Sequence, residues 1–213
     1  MASDIELFGN TPVTSPYVLT VYAALLEKGL PFELRLLNLK QGQQHDPEFV
    51  AHSVTNRVPT LRHAGAWLSE SLAITEYLEE AFPPPRYARL YPEDLLERAR
   101  VRMVQGLIRS DFMPIREERS TETVFYSDPI RPLSPQADAA RLRLIRIAQS
   151  VLQGRGSIAS NFSIGDIDLA TMLQRLVHHG DPVPEALAQY ARAIWQRPSV
   201  QKWLALTREH PPT

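Results

Sequence analysis

The sequence predicts a chain in two parts, an α/β domain followed by an all-helical domain. Three observations carry this. Short runs of alternating apolar and polar residues occur only before Phe82. Apolar residues at helical spacing recur on both sides of that point. Between the two parts stands Pro83-Pro84-Pro85, a run that favours extended chain. The boundaries read as 1–83 for the first domain, 84–91 for a linker and 92–213 for the second domain.

The elements follow in order. Ile5-Glu6-Leu7-Phe8 alternates and predicts a strand, with Gly9 to Thr14 as a loop. Ser15 precedes Pro16, the preferred order of a helix cap and a first helical residue. Val18, Val21, Tyr22, Leu25 and Leu26 then repeat at helical spacing, Gly29 ends the helix and Pro31 prevents its restart. Phe32, Leu34 and Leu36 alternate with Glu33 and Arg35 as a half-buried strand does. Asn38 to Asn56 is polar and reads as a loop with one short helix near Pro47 to Ala51. Thr60-Leu61-Arg62 and Ala66-Trp67-Leu68, separated by His63-Ala64-Gly65, predict a hairpin. Leu72, Ile74, Tyr77 and Leu78 predict a helix that stops at Phe82.

Past the prolines no comparable strand signal occurs. One long helix is expected over Leu95 to Glu118, then a loop over Ser120 to Pro135. Helices are expected over Gln136 to Leu152, Ile164 to His178, Glu185 to Trp195 and Val200 to Glu209.

The 213 residues are 44% hydrophobic, enough for a buried core. A formal net charge of −1 supplies no basic field for nucleic acid or acidic membrane. No apolar run approaches the ~20 residues that span a bilayer. Met1-Ala2-Ser3-Asp4 lacks a basic stretch before an apolar one, so no leader is expected and a cytoplasmic location is. The chain has no cysteine, which rules out a protein thiol nucleophile and thiolate metal sites. No metal site is expected, and adjacent His178 and His179 cannot share a helix face.

Three places carry chemistry. Ser69-Glu70-Ser71 opens a helix whose backbone N–H groups and positive dipole end suit a small carboxylate, while Glu70 suits an ammonium. Pro59 precedes a strand. The residues alone favour an ordinary trans bond there; a cis bond, the alternative, would turn the Val58 N–H and C=O towards a ligand. Ser15 starts a helix, and by position it reads as a cap accepting an N–H. The Phe162-Ser163-Ile164-Gly165-Asp166-Ile167 segment reads as a capping box with Phe162 packed on Ile167, so Ser163 and Asp166 are structural.

Together the Ser15-Pro16 helix start, Val58-Pro59-Thr60-Leu61 and Ser69-Glu70-Ser71 resemble the cytosolic glutathione transferases of serine type. The likeness extends over nearly the whole chain. It implies a thioredoxin-like first domain and a helical second domain, with glutathione as cosubstrate. In that family, Val58 would pair its backbone with the cysteinyl part of glutathione, and Glu70 and Ser71 would hold the γ-glutamyl end. Arg57, Gln44 and His45 would meet the glycyl end, although Arg57 also reads as a surface charge. The sulfur would be ionised by Ser15. A thiol has a pKa of roughly 8.5, and lowering it by ~2 units needs ~2.7 kcal/mol. A hydroxyl bonded to an anion supplies about 1.5–3 kcal/mol and a helix start about 0.3–1 more, so one serine suffices.

Phe8 stands where some classes have a tyrosine, and the paired serines and nearby cysteine of the maleylacetoacetate isomerase class are missing. Asn10, Thr11, Thr14 and Tyr17 remain as other polar neighbours for the sulfur. The resemblance implies conjugation of glutathione to a small electrophile, or reduction of an organic hydroperoxide. The second substrate would enter near residues 105 to 126. A homodimer is implied as well. Two alternatives stay open: a disulfide reductase using two glutathiones, and a non-catalytic binding protein of the same fold.

Overall fold

The computed structural model describes residues 4–126 and 131–211, and the chain divides into two compact units. The first holds the described residues up to Leu90 and also those from Pro198 onward.

In the first unit β1 (Ile5–Thr11), α1 (Pro16–Glu27) and β2 (Glu33–Asn38) are followed by two short 3₁₀ turns, Leu39–Gln41 and Gln43–His45. After these come α2 (Pro47–Val50), β3 (Thr60–His63), β4 (Ala66–Ser69) and α3 (Ser71–Ala81). β1 runs three residues beyond Phe8, into the expected loop. There it gains a parallel partner, Thr11 facing Asn38, that no local pattern announces. The sheet order is β2-β1-β3-β4, with β1 and β2 parallel and the remaining pairs antiparallel. The fold is thus a thioredoxin-like α/β domain and an all-helical unit.

The core forms where α1 lies on the sheet. Val18, Leu19, Val21 and Leu25 are fully buried with Leu7 and Leu61. A Cβ at Gly9 would stand 3.0 Å from the Val18 methyl, so glycine allows this close approach. α10 (Pro198–Glu209) packs on α1 and not among the helices the sequence groups it with. Its buried residues Ser199, Val200, Trp203 and Thr207 fall at helical spacing and make one stripe. Trp203 meets Tyr22 edge-on at 5.3 Å, and the Ser199 hydroxyl donates to Glu27 at 2.6 Å.

A buried cation fastens the end of this unit. The Lys28 ammonium touches the Glu79 carboxylate at 2.8 Å and donates to the carbonyls of Phe82 and Ala88, each at 2.9 Å. Glu79 also accepts the Leu90 N–H at 2.9 Å. α1, the end of α3 and the proline-rich segment therefore meet at one ion pair.

The second unit contains α4 (Leu95–Ser110), α5 (Met113–Glu118), α6 (Thr121–Phe125), α7 (Pro135–Leu152), α8 (Ile164–His178) and α9 (Glu185–Trp195). The single helix expected over Leu95 to Glu118 is two helices. Pro114 has no N–H for the carbonyl four residues back, and its ring crowds that turn, so α4 stops and α5 restarts. α6 occupies part of the expected loop, and the rest of that loop includes 127–130, outside the described residues.

α8 is buried almost throughout. At its start the Asp166 carboxylate accepts the Ser163 N–H at 2.8 Å and the Ser163 hydroxyl at 2.9 Å. It also accepts the Ile158 N–H and the Tyr190 hydroxyl, both at 2.8 Å. Phe162, expected against Ile167, carries the Arg197 guanidinium 3.4 Å from its ring centre. Gly165 lets α8 approach α4, since a Cβ there would lie 2.7 Å from a Val101 methyl.

The start of α7 shows what a capping serine can do with its proton. The Ser134 oxygen accepts the Ala137 N–H at 3.2 Å, while its proton goes to Glu118, which also accepts the Ser134 N–H at 2.9 Å. The Ser134 hydroxyl, and after it the Ser134 N–H, hold the Glu118 carboxyl below the ordinary glutamate range.

Two outcomes follow from these contacts. Lys28→Ala strands the Glu79 carboxylate and is expected to cost about 3–5 kcal/mol in urea unfolding, with much of the loss recovered in Lys28→Met/Glu79→Leu. The Glu118 contribution is present above the ordinary glutamate value near ~4.3 and disappears as pH falls through its depressed folded value. Glu118→Gln is therefore expected to flatten the acid limb of the stability–pH curve.

Candidate functional site

The candidate residues gather at one end of the first unit's sheet because of strand direction. Phe8 of β1 faces Thr60 of β3, and Thr60 faces Ser69 of β4. β1 leaves the sheet at this end, β3 enters it here and β4 leaves it here. Thr11 of β1 faces Asn38 of β2, so β2 also ends here. The segments beyond these points carry Ser15, Arg57-Val58-Pro59, Glu70-Ser71 and Gln44-His45.

Ser15 is the N-cap of α1. Its oxygen accepts the Val18 N–H at 3.3 Å, and its own N–H donates to Asn10 Oδ1 at 3.1 Å. No acceptor for the Ser15 hydroxyl proton lies among the described residues. The helix start thus takes a lone pair and leaves the proton uncommitted.

The Val58–Pro59 bond is cis, against the trans bond that the residues alone favour. No hydrogen bond to the Val58 N–H or C=O occurs among the described residues. A cluster of hydroxyls holds this turn from below. Ser53 lies 3.2 Å from Thr60 and 3.4 Å from Ser69, and Thr60 donates to the Arg57 carbonyl at 2.9 Å. Short polar side chains in a loop and at two strand ends gave no sequence signal that they would meet.

Glu70 caps α3 with φ +72° and makes no capping bond with its side chain. A glutamate in this region of backbone space is unusual and typical of positions where function outweighs local preference. Glu70 and Arg57 are exposed, and neither forms an ion pair among the described residues. Ser71 is buried at the first position of α3.

Gln44 and His45 lie in the second 3₁₀ turn, His45 exposed. The Gln44 Oε1, Thr55 Oγ1 and Asn56 Oδ1 atoms are buried and have no partner among the described residues. All three belong to the segment joining β2 to β3.

A cavity of about 270 Å³ lies elsewhere on the same unit, over the sheet face beside α2. Phe8, Phe49 and Trp67 form its apolar wall, and Glu6, bridged to Arg35 at 2.9 Å and Arg62 at 3.0 Å, its polar one. None of the candidate residues lines it. Phe8, standing where some classes have a tyrosine, stacks on Trp67 at 5.0 Å and serves packing. Among the described residues there is no group of His, Asp and Glu side chains that could hold a metal ion. Nor is any helix long and apolar enough to cross a membrane.

In the second unit Arg109, Asp111 and Arg116 are engaged. Arg109 reaches Asp168 at 3.1 Å, Asp111 accepts from Arg143 at 2.8 Å, and Arg116 donates to the Arg109 carbonyl at 3.0 Å.

Residues 14–81 match the family model for the glutathione S-transferase N-terminal domain, and residues 94–209 match that for the C-terminal domain. The chain belongs to the glutathione S-transferase family. It is 34% identical over 155 residues to the maleylacetoacetate isomerase of Rattus norvegicus, covering 70% of this chain and 68% of that protein. It is 29% identical over 178 residues to glutathione S-transferase theta-1 of Homo sapiens, covering 80% and 73%. Among solved structures it is similar to a glutathione transferase homolog from Burkholderia gl BGR1 crystallised with bound glutathione. There the TM-score is 0.80 at 38% identity, over 97% of this chain and 100% of that one.

The Glu70 backbone yields a direct expectation. Glu70→Gly relieves the positive φ and should raise the unfolding free energy by about 0.5–1 kcal/mol, measured by urea unfolding without ligand.

Proposed function

We propose that this protein binds reduced glutathione at the end of the sheet described above. There Ser15 holds the sulfur as a thiolate for attack on a small electrophile. The observation that carries this is the Ser15 hydroxyl, whose oxygen is used by the helix while its proton has no acceptor among the described residues. A thiolate placed there receives that proton's hydrogen bond together with the positive end of α1.

Ser134 provides an internal precedent, since it caps a helix in the same way and its proton lowers the pKa of a carboxyl. The unused Val58 backbone groups support an extended peptide paired beside Pro59. The unpaired Glu70 carboxylate suits the ligand's ammonium, and Ser71 with the start of α3 suits its α-carboxylate. Arg57 supplies a charge for the glycyl carboxylate, with Gln44 and His45 from the neighbouring turn. The glutathione bound to the Burkholderia homolog supports the same ligand here.

Catalysis would rest on thiolate population and on orientation of the two reactants. Organic hydroperoxide reduction would start from the same thiolate. Self-association into a homodimer is supported by the exposed Leu95, Leu96 and Met103 of α4.

A second reading is favoured by the identity with maleylacetoacetate isomerase. In such an isomerisation the sulfur adds to a conjugated carbon, the bond that was double rotates, and the sulfur leaves again, so that glutathione is regenerated. Turnover of maleylacetoacetate against an aryl halide separates the two readings.

Millimolar glutathione is expected to raise the melting temperature, and no shift would sink the ligand assignment. Ser15→Ala should leave glutathione affinity within a few-fold and raise the bound thiol's pKa by about 1–2 units. Ultraviolet absorbance of the thiolate against pH reads this, and an unchanged curve removes Ser15 from the mechanism.

A further inference from the structure

The loop that delivers Ser15 carries two buried polar side chains, Asn10 and Thr14. Asn10, at the end of β1, is 8% exposed, and its amide spans the loop. Its oxygen accepts the Ser15 N–H at 3.1 Å, and its nitrogen donates to the Pro12 carbonyl and to the Thr14 hydroxyl, the latter at 3.2 Å. These partners fix which atom is which, because an N–H needs the amide oxygen and a carbonyl needs the amide nitrogen. The Thr14 hydroxyl, itself buried, donates to the same Pro12 carbonyl at 3.3 Å.

The next carbonyl, that of Val13, is held from the far end of the chain. Thr207 of α10 donates to it at 2.8 Å, sharing the proton with the Trp203 carbonyl at 3.0 Å, and Thr207 is 2% exposed. The Ser15 carbonyl accepts the Leu19 N–H at 3.0 Å. Of the two side-chain hydroxyl protons between Pro12 and Ser15, that of Thr14 is engaged and that of Ser15 has no acceptor among the described residues.

We infer that Asn10 and Thr207 are positioning residues for the thiolate chemistry, holding the loop so that the Ser15 O–H points away from the fold. This rests on the reading of Ser15 given above. The physical reason is directional. A hydroxyl hydrogen bond weakens steeply as it bends, and the loop's other carbonyls are acceptors to which a loosened Ser15 could turn its proton. Two of those acceptors, the Pro12 and Val13 carbonyls, are already engaged, which disfavours that alternative. Thr207 gives α10 a part in the site through one hydroxyl, 194 positions distant from its acceptor in sequence.

The test uses the full chain with glutathione and an aryl halide as probes. Thr207→Val keeps the side chain's shape and removes the donor; Thr207→Ser restores it. Asn10→Ala removes both halves of the amide bridge. Thiolate absorbance against pH is read for each variant beside Ser15→Ala, with glutathione affinity by calorimetry. In Thr207→Val and Asn10→Ala the bound thiol's pKa should rise by about 0.5–1 unit and kcat/KM at neutral pH should fall about three- to tenfold. Glutathione affinity should stay within about threefold, and Thr207→Ser should return the titration to the starting curve.

A lower melting temperature with an unmoved thiolate titration would overturn the inference, since a merely structural role lowers stability alone. Should Asn10→Ala fail to fold, the Thr207 pair decides by itself. If Ser15→Ala shifts the titration and Thr207→Val does not, the positioning role fails and the Ser15 reading stands. If Ser15→Ala shifts nothing, both fail together.

Discussion

A hydroxyl offers two lone pairs and one proton, and a helix start needs only a lone pair. The first unit depends on that division at Ser15. Val18 takes the oxygen, and the Asn10 amide takes the backbone N–H, so the cap is complete with the proton still available. On the reading proposed above, such a donor would keep a borrowed sulfur ionised without a protein base in a chain that has no cysteine. Ser134 and Ser163 illustrate the other outcome. Each begins a helix, but each gives its proton to a carboxylate of its own chain, Glu118 or Asp166, and the donation becomes architecture.

The surroundings of Ser15 gain their meaning from strand direction. Glu70 keeps a positive φ and an unpaired carboxylate, Val58 keeps unused backbone groups, and Gln44, Thr55 and Asn56 keep buried oxygens without partners. The positive φ and the buried oxygens without partners each cost stability when taken alone. Their concentration at one sheet end is the pattern expected where a ligand completes the hydrogen bonding. The Ser53, Thr60 and Ser69 hydroxyls tie the Val58 turn to β3 and β4. The Glu6 cluster with Arg35 and Arg62, by contrast, is paired within itself.

The helical unit contributes its own internal order. Asp166 accepts four hydrogen bonds while burial pushes its carboxyl up and those bonds pull it back. Gln105 links Asp168 at 2.7 Å to the Tyr91 hydroxyl at 3.1 Å, binding α4 to α8. The relatives include both a transferase and an isomerase, and on the reading proposed above the two chemistries would start from the same thiolate and differ in the second substrate.

The sequence by itself determined the order of elements in the first unit, the Ser15-Pro16 start, the Glu70-Ser71 start and the Ser163–Asp166 box, because each is written in residues within a few positions of one another. It also carried the family, through the combination of those short motifs. It misjudged the Leu95 to Glu118 helix by giving periodicity more weight than Pro114. It favoured a trans Val58–Pro59 bond, since isomer choice depends on surroundings that the dipeptide does not contain. Only the tertiary structure decided that β1 would extend along β2, that α10 would join the first unit, and that Thr207 would reach Val13. Those contacts join residues far apart in the chain. A hydrogen bond is indifferent to sequence separation once folding has brought its donor to its acceptor.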